Sequence, residues 1–306
     1  MAGPDSHLRP AALRDAATVM LLRDGGGATP AIEVFMLRRN LRSVFVAGAY
    51  VFPGGGVDGT DRDPRLFAVC AGRTDAEASA VLGIDQGGLA FWVAAVRECF
   101  EEAGVLLARD RQGRVVSFAD RGTAARFEEH RRRLNSRETT LVAICEEEGL
   151  LLDVEAIHYF SHWITPLGAP RRYDTRFFVC AAPPEQVPLH DDGEVIANLW
   201  LSPGEALRRN SAGEYELIRP TYEVLRSLAE FTASVEILDV ARTMGHVPAV
   251  QPRMGESNEG VRILLPGDDE YARAVVDALR ADMPPGDATA TPRGMIRGAG
   301  AGGGHG

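Results

Sequence analysis

Across residues 89–103 the apolar side chains fall at Leu89, Val93, Val96, Phe100 and Ala103. That four-three-four-three repeat puts them on one stripe of a helix. Gly104 follows where a left-handed helix stop is expected. Upstream, residues 17–23 form a short apolar run, Asp24-Gly-Gly-Gly makes a turn, and residues 32–37 form a second strand, a hairpin in pattern. Thr74-Asp-Ala-Glu77 is a capping box that opens a short helix ended by Gly83. Val115 and Val116 suggest a short strand, and residues 121–133 and 136–148 two helices. Residues 158–163 and 173–180 read as strands, the second stopped by Pro183-Pro184, and residues 195–201 as another. Ser202-Pro-Gly-Glu205 caps a helix to Asn210. Helices are expected at 215–231, 235–244 and 270–279, and a late strand at 261–265. This alternation predicts an α/β protein with a mixed, partly antiparallel sheet between helices.

The same pattern divides the chain. Residues 1–14 read as a flexible arm and 15–234 as one domain. Residues 235–280 read as a C-terminal extension that is packed on it or serves as a homodimer arm. Residues 281–306 turn to Pro, Gly, Ala and Thr and read as a disordered tail.

Composition narrows the class. With 45% hydrophobic residues in 306, the chain can bury a substantial core. It has no apolar run long enough for a membrane span and no apolar leader at its start, so no membrane partner is expected. Its four cysteines are scattered without a C-x-x-C pair, which predicts a reduced, cytoplasmic protein without a zinc site. A net charge of −10 argues against a nucleic-acid surface. The basic runs at Arg131–Arg133 and the acidic run at Glu146–Glu148 read as solvated helix faces, and His158 and His162 as structural.

The chemistry gathers between Tyr50-Val-Phe-Pro-Gly-Gly-Gly56 and Arg97-Glu-Cys-Phe-Glu-Glu-Ala-Gly-Val105. Glu98, Glu101 and Glu102 stand at i, i+3 and i+4, neighbours about 5–6 Å apart on one helix face. Three carboxylates there repel one another unless a cation sits among them. Oxygen ligands suit Mg²⁺ first, with Mn²⁺ as competitor, and a Gly54 or Gly55 carbonyl could complete the shell. The alternative is a solvated acidic turn. Arg39 and Arg42 lie just upstream and could fork onto a substrate phosphate, or form a solvated surface cluster.

These residues resemble the Nudix box, G-x5-E-x7-R-E-U-x-E-E-x-G-U. Its second half matches from Arg97 to Val105. Arg97 lies 42 positions after Gly55, an excess of 28, so the box is interrupted. Eight residues before Arg97 stands Leu89 and six after Gly55 stands Asp61, so the family's isolated Glu has no obvious counterpart. An insertion here, about residues 57–88, is similar to the branch of the peroxisomal coenzyme A diphosphatases, although this chain ends in His-Gly without the peroxisomal address. Arg39 and Gly48 fit that branch's upstream signature, while its second arginine would fall on Val44.

The resemblance implies a Nudix α/β/α sandwich with a helical insertion. It implies a Mg²⁺-dependent hydrolase of a nucleoside diphosphate linked to another moiety, with coenzyme A or acyl-coenzyme A favoured. ADP-ribose, NADH or dinucleotide polyphosphates are the alternative substrates, and a non-catalytic nucleotide sensor the alternative class. It further implies Glu98, Glu101 and Glu102 as metal ligands, Arg97 orienting a glutamate, and Glu98 or Glu194 as base.

Overall fold

The computed structural model of the protein describes residues 11–26, 31–40, 48–188, 195–257 and 260–271. The elements in chain order are β1 (Leu13–Asp24), β2 (Ile32–Arg39), β3 (Tyr50–Val51), β4 (Gly54–Gly56), α1 (Pro64–Ala68), α2 (Asp75–Leu82), α3 (Leu89–Ala103), β5 (Ala108–Asp110), α4 (Arg121–Asn135), α5 (Leu141–Glu148), β6 (Leu150–Leu152), β7 (His158–Ile164), β8 (Arg172–Ala181), β9 (Val195–Leu201), α6 (Pro203–Ser211), α7 (Arg219–Leu228), α8 (Ser234–Thr243), β10 (Ala249–Val250), β11 (Arg253–Ser257) and β12 (Gly260–Leu264). They fall into two compact units. The larger holds residues 15–161 and 175–247, the smaller residues 1–14, 162–174 and 248–306.

In the larger unit the sheet order is β7-β8-β1-β2-β3, with β4 paired to β1 and β9 to β2. β1 and β2 form the expected antiparallel hairpin, Leu22 opposite Val34. Strand alternation then separates two faces. Ala17, Val19, Leu21, Phe35 and Leu37 join the stripe of α3 in one buried cluster. Val34 and Met36 are buried on the other face, where α6 packs on β2 and α7 on α6. The result is helix, sheet, helix. Trp92 lies at the centre of the α3 side, with its indole N–H donating to the Ile157 carbonyl at 2.9 Å and its ring 4.6 Å from Phe178. Fully burying each large apolar side chain of this stripe contributes roughly 1.5–3 kcal/mol. In the smaller unit β10 runs parallel to the end of β7, with Ala249 opposite His162, so the sheet is mixed. There His162 Nε2 lies 2.5 Å from Asp174 Oδ1.

The insertion has a visible structural role. Asp75 on α2 accepts from the Gly87 and Leu89 N–H groups, both at 2.9 Å, and Ser79 Oγ accepts from Gly88 N–H. A carboxylate therefore meets the free amides at the start of α3, where the helix dipole favours negative charge. The approach is so close that a Cβ on Gly88 would lie 2.4 Å from the Ser79 nitrogen.

Several expectations needed correction. β1 begins at Leu13, inside the segment expected as an arm. The helix expected at 136–148 starts only at Leu141, because Arg137 takes a positive φ of 61° and Thr140 caps Ala143 N–H. The helix expected at 215–231 starts at Arg219: Pro220 sits in its first turn, and Tyr215 stacks on Tyr50 at 4.0 Å instead. Val115 makes only an isolated bridge to Arg109, whereas β5 and β6, of three residues each, gave too short a pattern to be read. Arg131 and Glu148 are turned inward despite their charged runs. Arg131 is 3% exposed, and Glu148 accepts from Arg126 Nε at 2.8 Å. The expected helix at 270–279 and the tail lie largely or wholly outside the described residues.

Gln186 closes the segment after α3. Its carboxamide accepts from Leu106 N–H at 2.8 Å and donates to the Leu106 and Val116 carbonyls at 3.0 and 2.9 Å. Gln186→Leu would leave the buried Leu106 N–H and Val116 carbonyl without a partner, the Leu106 carbonyl keeping Ala108 N–H, so it is expected to cost about 2–4 kcal/mol in urea unfolding. A loss below about 0.5 kcal/mol would contradict this account.

Candidate active site

The site forms where β4 meets the last turns of α3. β4 pairs with β1, Gly54 opposite Thr18 and Gly55 opposite Ala17. Glycine is needed for steric reasons at two of these positions. A Cβ on Gly54 would lie 2.5 Å from the Ala17 carbonyl oxygen, and one on Gly55 2.4 Å from Glu98 Oε1. Backbone and carboxylate therefore approach as closely as a glycine permits.

Arg97 ties the site together. Its Nε and Nη2 donate to Asp61 at 2.8 and 2.9 Å, its Nη1 donates to both Glu98 and Glu101 at 2.8 Å, and Nη2 also reaches the Gly56 carbonyl. Asp61, on the 3-10 turn Gly59–Arg62, is 1% exposed and also accepts from Asp58 N–H at 2.7 Å. Glu102 turns the other way, accepting from Gly54 N–H at 2.9 Å. Burial by itself would lower the pKa of Arg97. The bonds to Asp61 and the charges of Glu98, Asp61 and Glu101 outweigh it, and the guanidinium is held charged. Burial pushes Glu98 up to about 7, with Arg97 opposing and Glu101 adding, and burial raises Glu101 as well.

The structure thus brings together Arg97, Glu98, Glu101, Glu102, Gly54 and Gly55. Gly54 meets Glu102 through its amide. Arg39 is half-buried at the end of β2, its N–H on the Ala49 carbonyl at 3.0 Å. Arg42 and Glu194 lie outside the described residues. Asp61 is the residue that sequence reasoning passed over. Its spacing of six from Gly55 was the signal, and its place inside the insertion hid the partnership with Arg97.

Among the described residues no three potential ligands converge on one point. Glu98 and Glu101 nevertheless share one cationic nitrogen, Arg97 Nη1, so a single positive centre fits between them. The donor set is all oxygen, which suits a hard divalent cation.

A family model described as the NUDT19 Nudix domain matches residues 86–227, which include Arg97, Glu98, Glu101 and Glu102. The acyl-coenzyme A diphosphatase NUDT19 of Gallus gallus is 30% identical over 302 residues, covering 84% of this chain and 79% of that protein. The chain belongs to the Nudix hydrolase family. The enzyme of the same name from Homo sapiens is 30% identical over 272 residues, covering 78% and 72% of the two chains. Among solved structures, the crystal structure of a NUDIX hydrolase from Alicyclobacillus acidocaldarius overlays with a TM-score of 0.62 at 27% identity, covering 75% of this chain and 96% of that one. This Nudix hydrolase therefore keeps the expected α/β fold. Gly55 and Asp61 precede the matched stretch, so their pairing with the box helix is legible only in three dimensions.

Removing Asp61 isolates a buried guanidinium from its two-pronged partner. Asp61→Ala is expected to lower stability by about 3–5 kcal/mol in denaturant unfolding. A loss under about 1 kcal/mol would mean that Glu98 and Glu101 satisfy Arg97 without it.

Proposed function

We propose that this Nudix hydrolase cleaves the diphosphate bond of coenzyme A or an acyl-coenzyme A, with Mg²⁺ held by Glu98, Glu101 and Glu102. The observation that carries the substrate is the match, over most of both chains, to relatives named acyl-coenzyme A diphosphatases. The observation that carries the cation is the pair of glutamates already sharing one positive nitrogen.

Bound there, a divalent cation supplies charge to the diphosphate oxygens and acidifies a water for attack at phosphorus. The chain's own residues do the rest. Arg97 holds Glu98 and Glu101 in register through a charged fork. Gly55 leaves space against Glu98, and the Gly54 amide steadies Glu102. Arg39 and Arg42 bind a substrate phosphate. Glu98, lifted to about 7, is suited to accept a proton near neutral pH; Glu194 is the other base considered. Retention of Arg97 with all three glutamates favours an enzyme over a non-catalytic sensor.

Product analysis tests the substrate. With Mg²⁺, coenzyme A is expected to yield 4′-phosphopantetheine and adenosine 3′,5′-bisphosphate, with kcat/KM above that for ADP-ribose or NADH by about tenfold or more, at least ~1.4 kcal/mol of transition-state binding. Faster cleavage of ADP-ribose, or no cleavage of coenzyme A, would overturn the assignment.

Thermal unfolding tests the cation. A carboxyl raised to about 7 in the folded protein favours folding below its unfolded value, and that contribution is lost as pH rises through 7. A bound cation restores it, whereas below 7 it must first displace a proton. The Mg²⁺-dependent gain in Tm is therefore expected to be larger at pH 8 than at pH 6. An equal gain at both, or none, contradicts Glu98 as a ligand.

A further inference from the structure

The C-terminal end of α3 is closed by backbone bonds and by side chains of α4. Gly104, at φ 67°, sends its N–H to the Phe100 carbonyl at 3.0 Å, and Val105 N–H reaches Cys99 at 3.4 Å. The next amide, Leu106 N–H, turns away to Gln186. The Glu101 and Glu102 carbonyls are taken instead by side chains of α4. Arg131 Nε donates to Glu101 O at 3.0 Å and Nη2 to Glu102 O at 3.1 Å, while Asn135 Nδ2 adds a donor to Glu101 O at 3.3 Å.

Arg131 is not a surface arginine with a helix end beside it. Its side chain is 4% exposed, and the carboxylate recorded beside it, Glu128, lies 3.6 Å away and is 64% exposed. The buried charge faces the negative end of the helix dipole. Its two bonds go to the backbone of the two residues whose carboxylates stand at the candidate cation site.

We propose that Arg131 is a positioning residue for cation binding. It forks onto the backbone of Glu101 and Glu102 and fixes the rotation of the last turn of α3, and with it the stance of Glu101 toward Arg97 and of Glu102 toward Gly54. This rests on the reading that those carboxylates hold a divalent cation. The planar guanidinium grips two successive carbonyls at once; a lysine would bring the charge without the two-point grip. A small rotation of that turn would carry Glu102 off the Gly54 amide and unbalance the ligand set.

The test uses the full chain and Mn²⁺ alone, with free Mn²⁺ followed by electron paramagnetic resonance and Tm measured alongside. Arg131→Lys is expected to raise the Mn²⁺ Kd about tenfold or more. Leu134→Ala, which empties a buried position on the same face of α4, serves as the stability control. It is expected to lower Tm while leaving Kd within about twofold. Wild-type affinity in Arg131→Lys, or equal weakening in Leu134→Ala, overturns the role, because the grip would then be idle or merely a matter of holding α4 together. Should Arg131→Lys fail to fold, Asn135→Ala at an exposed position removes one donor and is expected to raise Kd about two- to tenfold, the worth of one hydrogen bond; no change there overturns the role equally. A wild-type chain that binds no Mn²⁺ sinks the cation reading itself, and this role with it.

Discussion

A positive charge buried to 7% exposure must be met by negative charge close at hand, and Arg97 imposes that demand on three separate segments. Asp61 answers it from the 3-10 turn, Gly56 from β4, and Glu98 and Glu101 from the helix itself. The glycine strand can come this near only because its residues lack a Cβ. The glutamates are neither free to extend into water nor free to approach one another, and Glu98 is lifted toward neutrality as a consequence.

Around this centre the helix is fastened at both ends by residues from elsewhere. At its start the insertion delivers Asp75 and Ser79 to the open amides of Gly87, Gly88 and Leu89. At its finish α4 delivers Arg131 to open carbonyls. An interrupted Nudix box therefore need not be a loosened one, since the interrupting segment itself caps the helix it precedes. The apolar stripe between, centred on Trp92, holds the middle against the sheet.

The box helix was readable from one sequence because period, stop glycine and three glutamates agree on it. Its hairpin partner was readable for the same reason. Asp61 was not, since it sits inside the insertion and its partner lies 36 residues further along the chain, with only its spacing from Gly55 as a mark. Arg131 was hidden by its neighbours: a run of three arginines looks solvated as a block. Yet Phe127, His130, Arg131 and Leu134 are the buried residues of α4, spaced three, one and three, so the helical period did single it out. Short bridging strands such as β5 and β6 depend on partners far along the chain and carry no pattern of their own.

The proposed divalent cation site lies between the glutamates of α3 and the glycine strand. The most direct measurement is anomalous scattering from crystals grown with Mn²⁺. One strong peak, or a close pair, is expected in coordination range of Glu98, Glu101 and Glu102, with Arg97 still on Asp61. Full Mn²⁺ occupancy elsewhere, with Arg97 still bridging Glu98 and Glu101 and no peak beside them, would contradict that site.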